Sequence, residues 1–284
     1  MGRRLAARFL AQGHRVGGTF LGADPGLPEL EAAEVDLGDR SLVASVIGEQ
    51  DPDVVIHLGG LSHVGASWQR MADYFQVNVM GTENLLRGAR GRRVLFASSS
   101  EVYGLVPEEE QPIREDRAVA PRTPYALTKA AAERLALAQG AIVVRSFNAV
   151  GPGQAETFAL PAFTRQLAAI EAGLQEPVLK VGNLEARRDF VHIDDVAEAY
   201  CRLAERGEEG KVYNLASGIV HSIGEALSRL VVHSRLEVQL ETDPERVRPV
   251  DMPLLCGDAS ALRGLGWSPT RGLDQALQDL WSNR

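Results

Sequence analysis

The chain has 284 residues, of which 45% are hydrophobic and 24% charged, and its net charge is −8. That is enough for one large α/β domain with an appendage, or for two ordinary domains, and it excludes a disordered, collagen-like or disulfide-framework protein. The negative balance disfavours general binding to nucleic acid or anionic membrane, and no apolar run approaches the roughly 18 residues of a membrane span.

Taken in chain order, Gly2 to Gln12 reads as a helix with Leu5, Phe9 and Leu10 on one face. His14 to Phe20 reads as a short strand, Glu34-Val35-Asp36 as a strand ending on an acid, and Ser41 to Glu49 as a helix. Asp53 to Leu58 and Arg93 to Ala97 are continuous apolar runs of the kind buried on both faces of a parallel sheet. Trp68 to Ala89 supports one long helix, Pro124 to Gln139 a helix with proline in its first turn, and Ile142 to Arg145 another strand. Strand and helix alternate through about residue 150, which predicts a doubly wound parallel sheet over residues 1–150. After Gly151-Pro152-Gly153 the loops lengthen. Helices near 160–172 and 193–205 and strands near 178–181, 212–215 and 236–240 predict a smaller α/β substrate-binding part over 151–284, with chain crossover between the two. The Glu108-Glu109-Glu110 run reads as a solvated loop.

Cys201 and Cys256 are too few for a disulfide framework, so a reduced, cytoplasmic setting is expected. The basic N-terminus lacks the apolar stretch of a signal peptide. His57, His63 and His192 lack metal-ligand spacing, and no metal is expected.

Tyr125 and Lys129 stand four residues apart, on one face of a helix. A cation beside a phenol favours phenolate, so Lys129 is expected to lower the pKa of Tyr125 and make it a usable acid or base. Lysine is scarce here: the chain has only Lys129, Lys180 and Lys211, and arginine is its ordinary cation. Ser98-Ser99-Ser100-Glu101 follows a buried strand at its carboxyl end, where open α/β sheets bind ligands; the serines are either substrate-facing hydroxyls or a turn and cap. Asn78, a poor helix former within a predicted helix, is either a satisfied buried amide or a local distortion beside the Tyr–Lys pair. Arg187-Arg188-Asp189 and Arg246-Val247-Arg248 fit either an anionic substrate or surface ion pairs.

Taken together, Tyr125-x-x-x-Lys129, Ser99 ahead of Val102-Tyr103-Gly104, Asn78-Val79-x-Gly81-Thr82, Arg145-x-Phe147-Asn148-x-x-Gly151-Pro152-Gly153 and Arg188-Asp189-Phe190-Val191-His192 resemble the extended short-chain dehydrogenase/reductase family, nucleotide-sugar branch. Lys180-Val181-Gly182-Asn183 ahead of Arg188 makes the likeness greatest to its GDP-sugar members, the GDP-4-keto-6-deoxy-D-mannose reductases that form GDP-D-rhamnose. The resemblance implies a Rossmann-like sheet and reduction of a 4-keto sugar by NAD(P)H. Tyr125 would be the general acid, Lys129 would also bind the cofactor ribose, and Ser99 would bind the keto oxygen. Gly2, Asp36, Leu37, His57, Leu58, Gly59, Gly60 and Asn78 would join Tyr125 and Lys129 around the cofactor. Ser100, Asn148, Lys180, Val181, Asn183, Arg188 and Arg248 would hold the GDP-sugar. A homodimer through helices near 68–89 and 124–139 is implied too.

Two alternatives stand beside this. Glu101 sits where similar 4,6-dehydratases carry their C5 base, so a dehydratase or epimerase is the second reading. A non-catalytic binding or scaffold subunit is the third, because Gly2 matches only the last glycine of the family's Gly-x-x-Gly-x-x-Gly turn. A sheet without its first strand is therefore expected. The segment Thr19-Phe20-Leu21 has no acid before Asp24, which favours NADP(H) over NAD(H).

Overall fold

The structure is a computed structural model that describes residues 1–22, 26–246 and 252–284; Asp24 and Arg248 lie outside the described residues. Helix α1 (Gly2–Ala11) leads to strands β1 (Gly17–Phe20) and β2 (Glu31–Glu34) and helix α2 (Arg40–Gln50). Strand β3 (Val54–His57) is followed by α3 (Val64–Ser67), α4 (Met71–Phe75), a π-helical turn at Gln76–Met80 and α5 (Gly81–Gly88). Then come β4 (Arg93–Ser99), α6 (Pro124–Ala138), β5 (Ile142–Ser146), β6 (Asn148–Val150) and α7 (Ala159–Glu171). Strands β7 (Val178–Val181) and β8 (Arg187–His192), helix α8 (Ile193–Arg206), and strands β9 (Val212–Leu215) and β10 (Val220–Ser222) follow. The chain ends with α9 (Ile223–Ser234), β11 (Gln239–Thr242), β12 (Leu254–Leu255), α10 (Ser260–Gly264) and α11 (Leu273–Ser282).

The parallel α/β architecture is present, but as separate ladders. β3-β4-β5-β9 form a four-stranded parallel sheet, and β1 pairs only with β2 in a parallel pair of its own. No ladder joins β1 to β3 among the described residues. Among the described residues, β1–β2 thus stands as a pair apart from the four-stranded sheet. Three apolar cores follow from this layering. Leu95, Ala97, Val144, Val196 and Tyr200 fill the space between the sheet, α8 and α1. Phe96, Val143, Ala132 and Leu86 fill the opposite face. Leu167, Leu179, Leu230 and Leu277 form a separate core of α7, α9, α11 and β7. β9, from the second half of the chain, forms the edge of the main sheet beside β5.

The expected strand at 34–36 lies three residues earlier, and Val35 instead donates its N–H to the Phe20 carbonyl as the chain leaves the pair. The single long helix expected at 68–89 is broken: α3 ends near Trp68, and the π-helical turn interrupts the rest. The strand near 236–240 is Gln239–Thr242, paired with β7. β6, β8, β10 and β12 were not foreseen; they are short and pair across long sequence gaps, which no local pattern announces. Among the described residues, no helix is long and apolar enough to cross a membrane.

Candidate active site

Tyr125 and Lys129 are set by a capped helix start. Thr123 is the N-cap of α6, its hydroxyl accepts from the Ala126 N–H at 3.1 Å, and Pro124 stands in the first turn. Tyr125 falls in that first turn and Lys129 one turn later, both buried. Opposite them β4 ends on Ser98 and Ser99. Ser99 accepts from the Glu101 N–H at 3.2 Å and caps the 3₁₀ turn Ser100–Tyr103, while its hydroxyl also hydrogen-bonds the Tyr125 phenol. The cap among the two expected uses is thus present. Ser100 is buried behind it, and the negative charge of Glu101 reaches Tyr125.

The electrostatics correct one expectation. The pKa of Tyr125 is not lowered; burial pushes it up to about 12 against the pull of Ser99, with Glu101 and Tyr74 adding to the rise. Burial also lowers the pKa of Lys129, to about 8, against the charge of Glu133. Both are buried on one helix face, so each loses hydration more than it gains from the other. A phenol in that state keeps its proton at neutral pH. The Lys129 ammonium lies 4.4 Å from the Phe96 ring centroid and makes no hydrogen bond or ion pair among the described residues. His57, buried on β3 near this charge, is lowered to about 3 and stays neutral. Thr82 Oγ1 donates its one proton to the Asn78 carbonyl at 2.6 Å, so it can only accept from His57 Nε2 at 2.9 Å, which assigns the ring proton to Nε2.

Asn78 sits in the π-helical turn, which aims its amide inward. Its Oδ1 accepts from the Leu61 N–H at 2.8 Å, and its Nδ2 donates to the Leu61 carbonyl at 2.9 Å and to Thr128 Oγ1 at 3.0 Å. Thr128 in turn donates to the Tyr125 carbonyl at 2.8 Å. The amide of Asn78 is spent on fixing the loop after β3 to the Tyr125 helix. In that loop Gly60 has φ +147°, and a Cβ there would stand 2.8 Å from Asn78 Oδ1. A Cβ on Gly59 would meet the Leu37 side chain at 2.9 Å. Asp36 Oδ1 accepts from the Gly38 N–H at 2.8 Å, closing the turn beside Leu37. Leu58 packs on the first core, and Gly2 lies beside it at the start of α1.

Tyr74 gave no sequence signal beyond its type. Its ring meets Tyr125 edge-on at 6.4 Å between centroids, and its hydroxyl donates to the His63 carbonyl at 2.6 Å. The expected substrate residues lie apart from this cluster along the chain. Asn148 on β6 donates to the Asp189 carbonyl at 3.4 Å. Lys180 is exposed on β7, whereas the Val181 side chain points into the second-part core. Asn183 Oδ1 accepts from the Glu185 N–H at 3.0 Å. Gly182 lets the Arg246 carbonyl approach, since a Cβ there would stand 2.5 Å from it. Arg188 is buried, and its Nη1 donates to the Met252 carbonyl at 2.6 Å and the Arg187 carbonyl at 2.9 Å. Asp189, fully buried, accepts from Ser217, Gly218 and Gly257 and ties β8 to two loops. Among the described residues no His/Cys/Asp/Glu group could hold a metal ion.

Residues 21–280 match the family model described as GDP-mannose 4,6 dehydratase. The chain belongs to that family. It is 37% identical to the GDP-6-deoxy-D-mannose reductase of Pseudomonas aeruginosa, over 82% of this chain and 80% of that one. It is 30% identical to a GDP-mannose 4,6-dehydratase of Vibrio cholerae, over 86% of this chain and 76% of that one. Among solved structures, RMD from P. aeruginosa complexed with NADPH superposes with a TM-score of 0.83 at 33% identity, covering 95% and 98% of the two chains. The UDP-glucose 4-epimerase of Thermus thermophilus complexed with NAD superposes with a TM-score of 0.89 at 26% identity, covering 99% and 94%. The fold is that of the extended short-chain dehydrogenases, and the family's enzymes work with NAD(P).

The residues present fit the reactive half of such a cofactor. The Lys129 ammonium has donors that no described residue uses, and Gly59 and Gly60 let the loop after β3 pack closely against Leu37 and Asn78. Lys129 and Tyr125 would hold the nicotinamide ribose, His57 to Gly60 would pass the diphosphate, and Asp36-Leu37 would border the adenine.

Proposed function

We propose that the protein reduces the 4-keto group of GDP-4-keto-6-deoxy-D-mannose to GDP-D-rhamnose, with NADPH preferred over NADH. The cofactor, when bound, supplies the hydride. The observation that carries the reading is the buried Tyr125 phenol, protonated at neutral pH and hydrogen-bonded to Ser99. Ser99 orients the keto oxygen against the phenol, and Tyr125 gives that oxygen its proton as charge develops there. Lys129 places a cation one turn away, so the phenolate left after proton transfer is stabilised. Asn148, Lys180, Asn183 and Arg188, with Arg248, hold the sugar nucleotide.

We further propose that the protein works in the cytoplasm as a homodimer. Trp68, Met71, Phe75 and Met80 on the helices before and through the π-helical turn, and Leu127 on α6, are exposed apolar side chains. Their helices pack side by side, and a second copy would cover them.

A second reading has one observation of its own: Glu101 stands two residues past Ser99, and its charge acts on Tyr125. As a dehydratase base it would take the C5 proton once the oxidised cofactor had accepted the C4 hydride of GDP-mannose and left a ketone at C4. The test supplies purified protein with GDP-4-keto-6-deoxy-mannose and NADPH or NADH, and identifies the sugar by NMR. Reduced cofactor should be consumed and GDP-rhamnose formed, with Tyr125→Phe slower by about 10²–10⁴-fold. Formation of a 4-keto product from GDP-mannose, without net cofactor consumption, would replace the reductase by the dehydratase.

A further inference from the structure

Tyr125, Lys129 and Glu133 follow one another at intervals of four on α6, and all three are buried. The outer two differ in what holds them. Tyr125 faces Ser99, whereas Glu133 is fixed on every side. Its Oε1 accepts from Arg145 Nη2 at 2.6 Å and Nε at 3.2 Å, and its Oε2 accepts from Ser98 Oγ at 2.6 Å and Arg145 Nε at 3.2 Å. Arg145 is fixed as firmly: it lies opposite Ser98 in the β4–β5 ladder, its Nη1 donates to the Glu115 carbonyl at 3.1 Å, and its guanidinium lies 4.7 Å from the Tyr103 ring centroid. Side-chain exposure of the Glu133–Arg145 pair is 3% and 6%. A pair this dry contributes little net stability, because desolvation offsets the attraction and an apolar pair of the same volume would pack as well. Its position suggests another purpose. Ser98 adjoins Ser99, and Glu133 adjoins Lys129.

We propose that Glu133, fixed by Arg145 and Ser98, is a positioning residue that holds a negative charge one turn from Lys129, on the buried helix face that also carries Tyr125. The inference rests on the role given above to Lys129. The titratable and charged groups around Lys129 are His57 from β3, which stays neutral, Tyr125 and Glu133 from its own helix, and Arg145 from β5, which is paired with Glu133; Glu101, beyond the 3₁₀ turn, acts on Tyr125. Glu133 is the negative charge that opposes the burial of Lys129, and the ammonium has no direct ion pair of its own among the described residues. Without Glu133 the ammonium would lose its proton at lower pH, and the phenolate formed in each turnover would lose its counter-charge at that pH.

The three lysines make a direct test possible. In protein labelled with ¹³Cε-lysine, three side-chain signals report Lys129, Lys180 and Lys211, and Lys129→Met assigns the first. In Glu133→Gln, the Lys129 titration should fall by about one pH unit or more, the range for losing an opposite charge at close quarters. The signals of Lys180 and Lys211 should stay in place, and the alkaline limb of kcat should move down with Lys129. Glu133→Asp, which keeps the charge, should recover most of the shift. If Glu133→Gln does not fold, Glu133→Gln/Arg145→Met removes both ions, leaves none unpaired, and should show the same downward direction. An unmoved Lys129 titration in whichever of these variants folds would overturn the proposal. The NMR result stands without turnover, so a lysine that shifts in a protein inactive on GDP-4-keto-6-deoxy-mannose would reject the substrate reading and leave this one standing.

Discussion

Lys129 shows at residue scale what the site costs the fold. Its pKa falls from 10.5 to about 8 on burial, so between those values the unfolded chain binds a proton that the folded chain has released. Stability therefore rises with pH across that window, and below it the folded state bears the whole penalty of a dry ammonium. Lys129→Met should raise stability at pH 7 by about 2–3 kcal/mol while abolishing turnover, which urea titration and the reductase assay would read separately. A loss of stability would mean that the ammonium is better compensated than its surroundings indicate. Tyr125 has the opposite sign: its pKa rises to about 12, so its contribution is complete below pH 10 and is lost as pH rises toward that value. Of the residues proposed to act here, Tyr125 and Lys129 were legible from their spacing, whereas Ser99 was one of three serines at a strand end and was singled out by the family resemblance. Tyr74 and Glu133 were not, because an edge-on ring and a charge one turn further along α6 matter only once the elements are packed.

At the scale of elements, the π-helical turn does the positioning. The extra residue in that turn aims Asn78 at Leu61 and Thr128, and so joins the loop after β3 to α6. The sequence marked Asn78 as out of place in a helix but assigned it to the cofactor; the structure spends its amide on this clamp. Asn78→Ala would leave the Leu61 N–H and carbonyl unpaired, at about 1–3 kcal/mol for each buried group. Cofactor KM should rise more than kcat falls, since the Gly59-Gly60 loop loosens while Tyr125 keeps Ser99. Equal loss in both, measured by steady-state kinetics at saturating substrate, would place Asn78 in the chemical step instead. Thr128→Val, which removes one of the three bonds, should give a milder form of the same change.

Across the whole molecule, two features need the assembled chain. The first is the apolar surface of the helices around α4 and α6, with Phe75 40% and Leu127 44% exposed. Phe75→Glu/Leu127→Glu should shift sedimentation from dimer to monomer without unfolding the chain; wild-type protein that already sediments as a monomer would remove this surface from the proposal. The second is the divided sheet. β1–β2 is held to the rest through α2, whose packing on α5 and whose Val43 core contact replace a ladder. This pair should be the first part to lose amide protection in hydrogen exchange, ahead of β4 and β5, whose faces are closed on both sides.

The sequence by itself determined the parallel α/β class, the order of the main elements through residue 150, and the i,i+4 placement of Tyr125 and Lys129 on one helix. Buried strands, capped helices and i,i+4 pairs are local patterns with local causes. Tertiary structure alone decided the sign of the Tyr125 shift, because burial is a property of the packed state and outweighs the pull of Ser99. It likewise decided that Arg188 reaches the Met252 carbonyl, that Val181 turns into the core, and that Glu133 stands behind Lys129. Each of these depends on which groups meet across distant parts of the chain, and sequence spacing does not encode that.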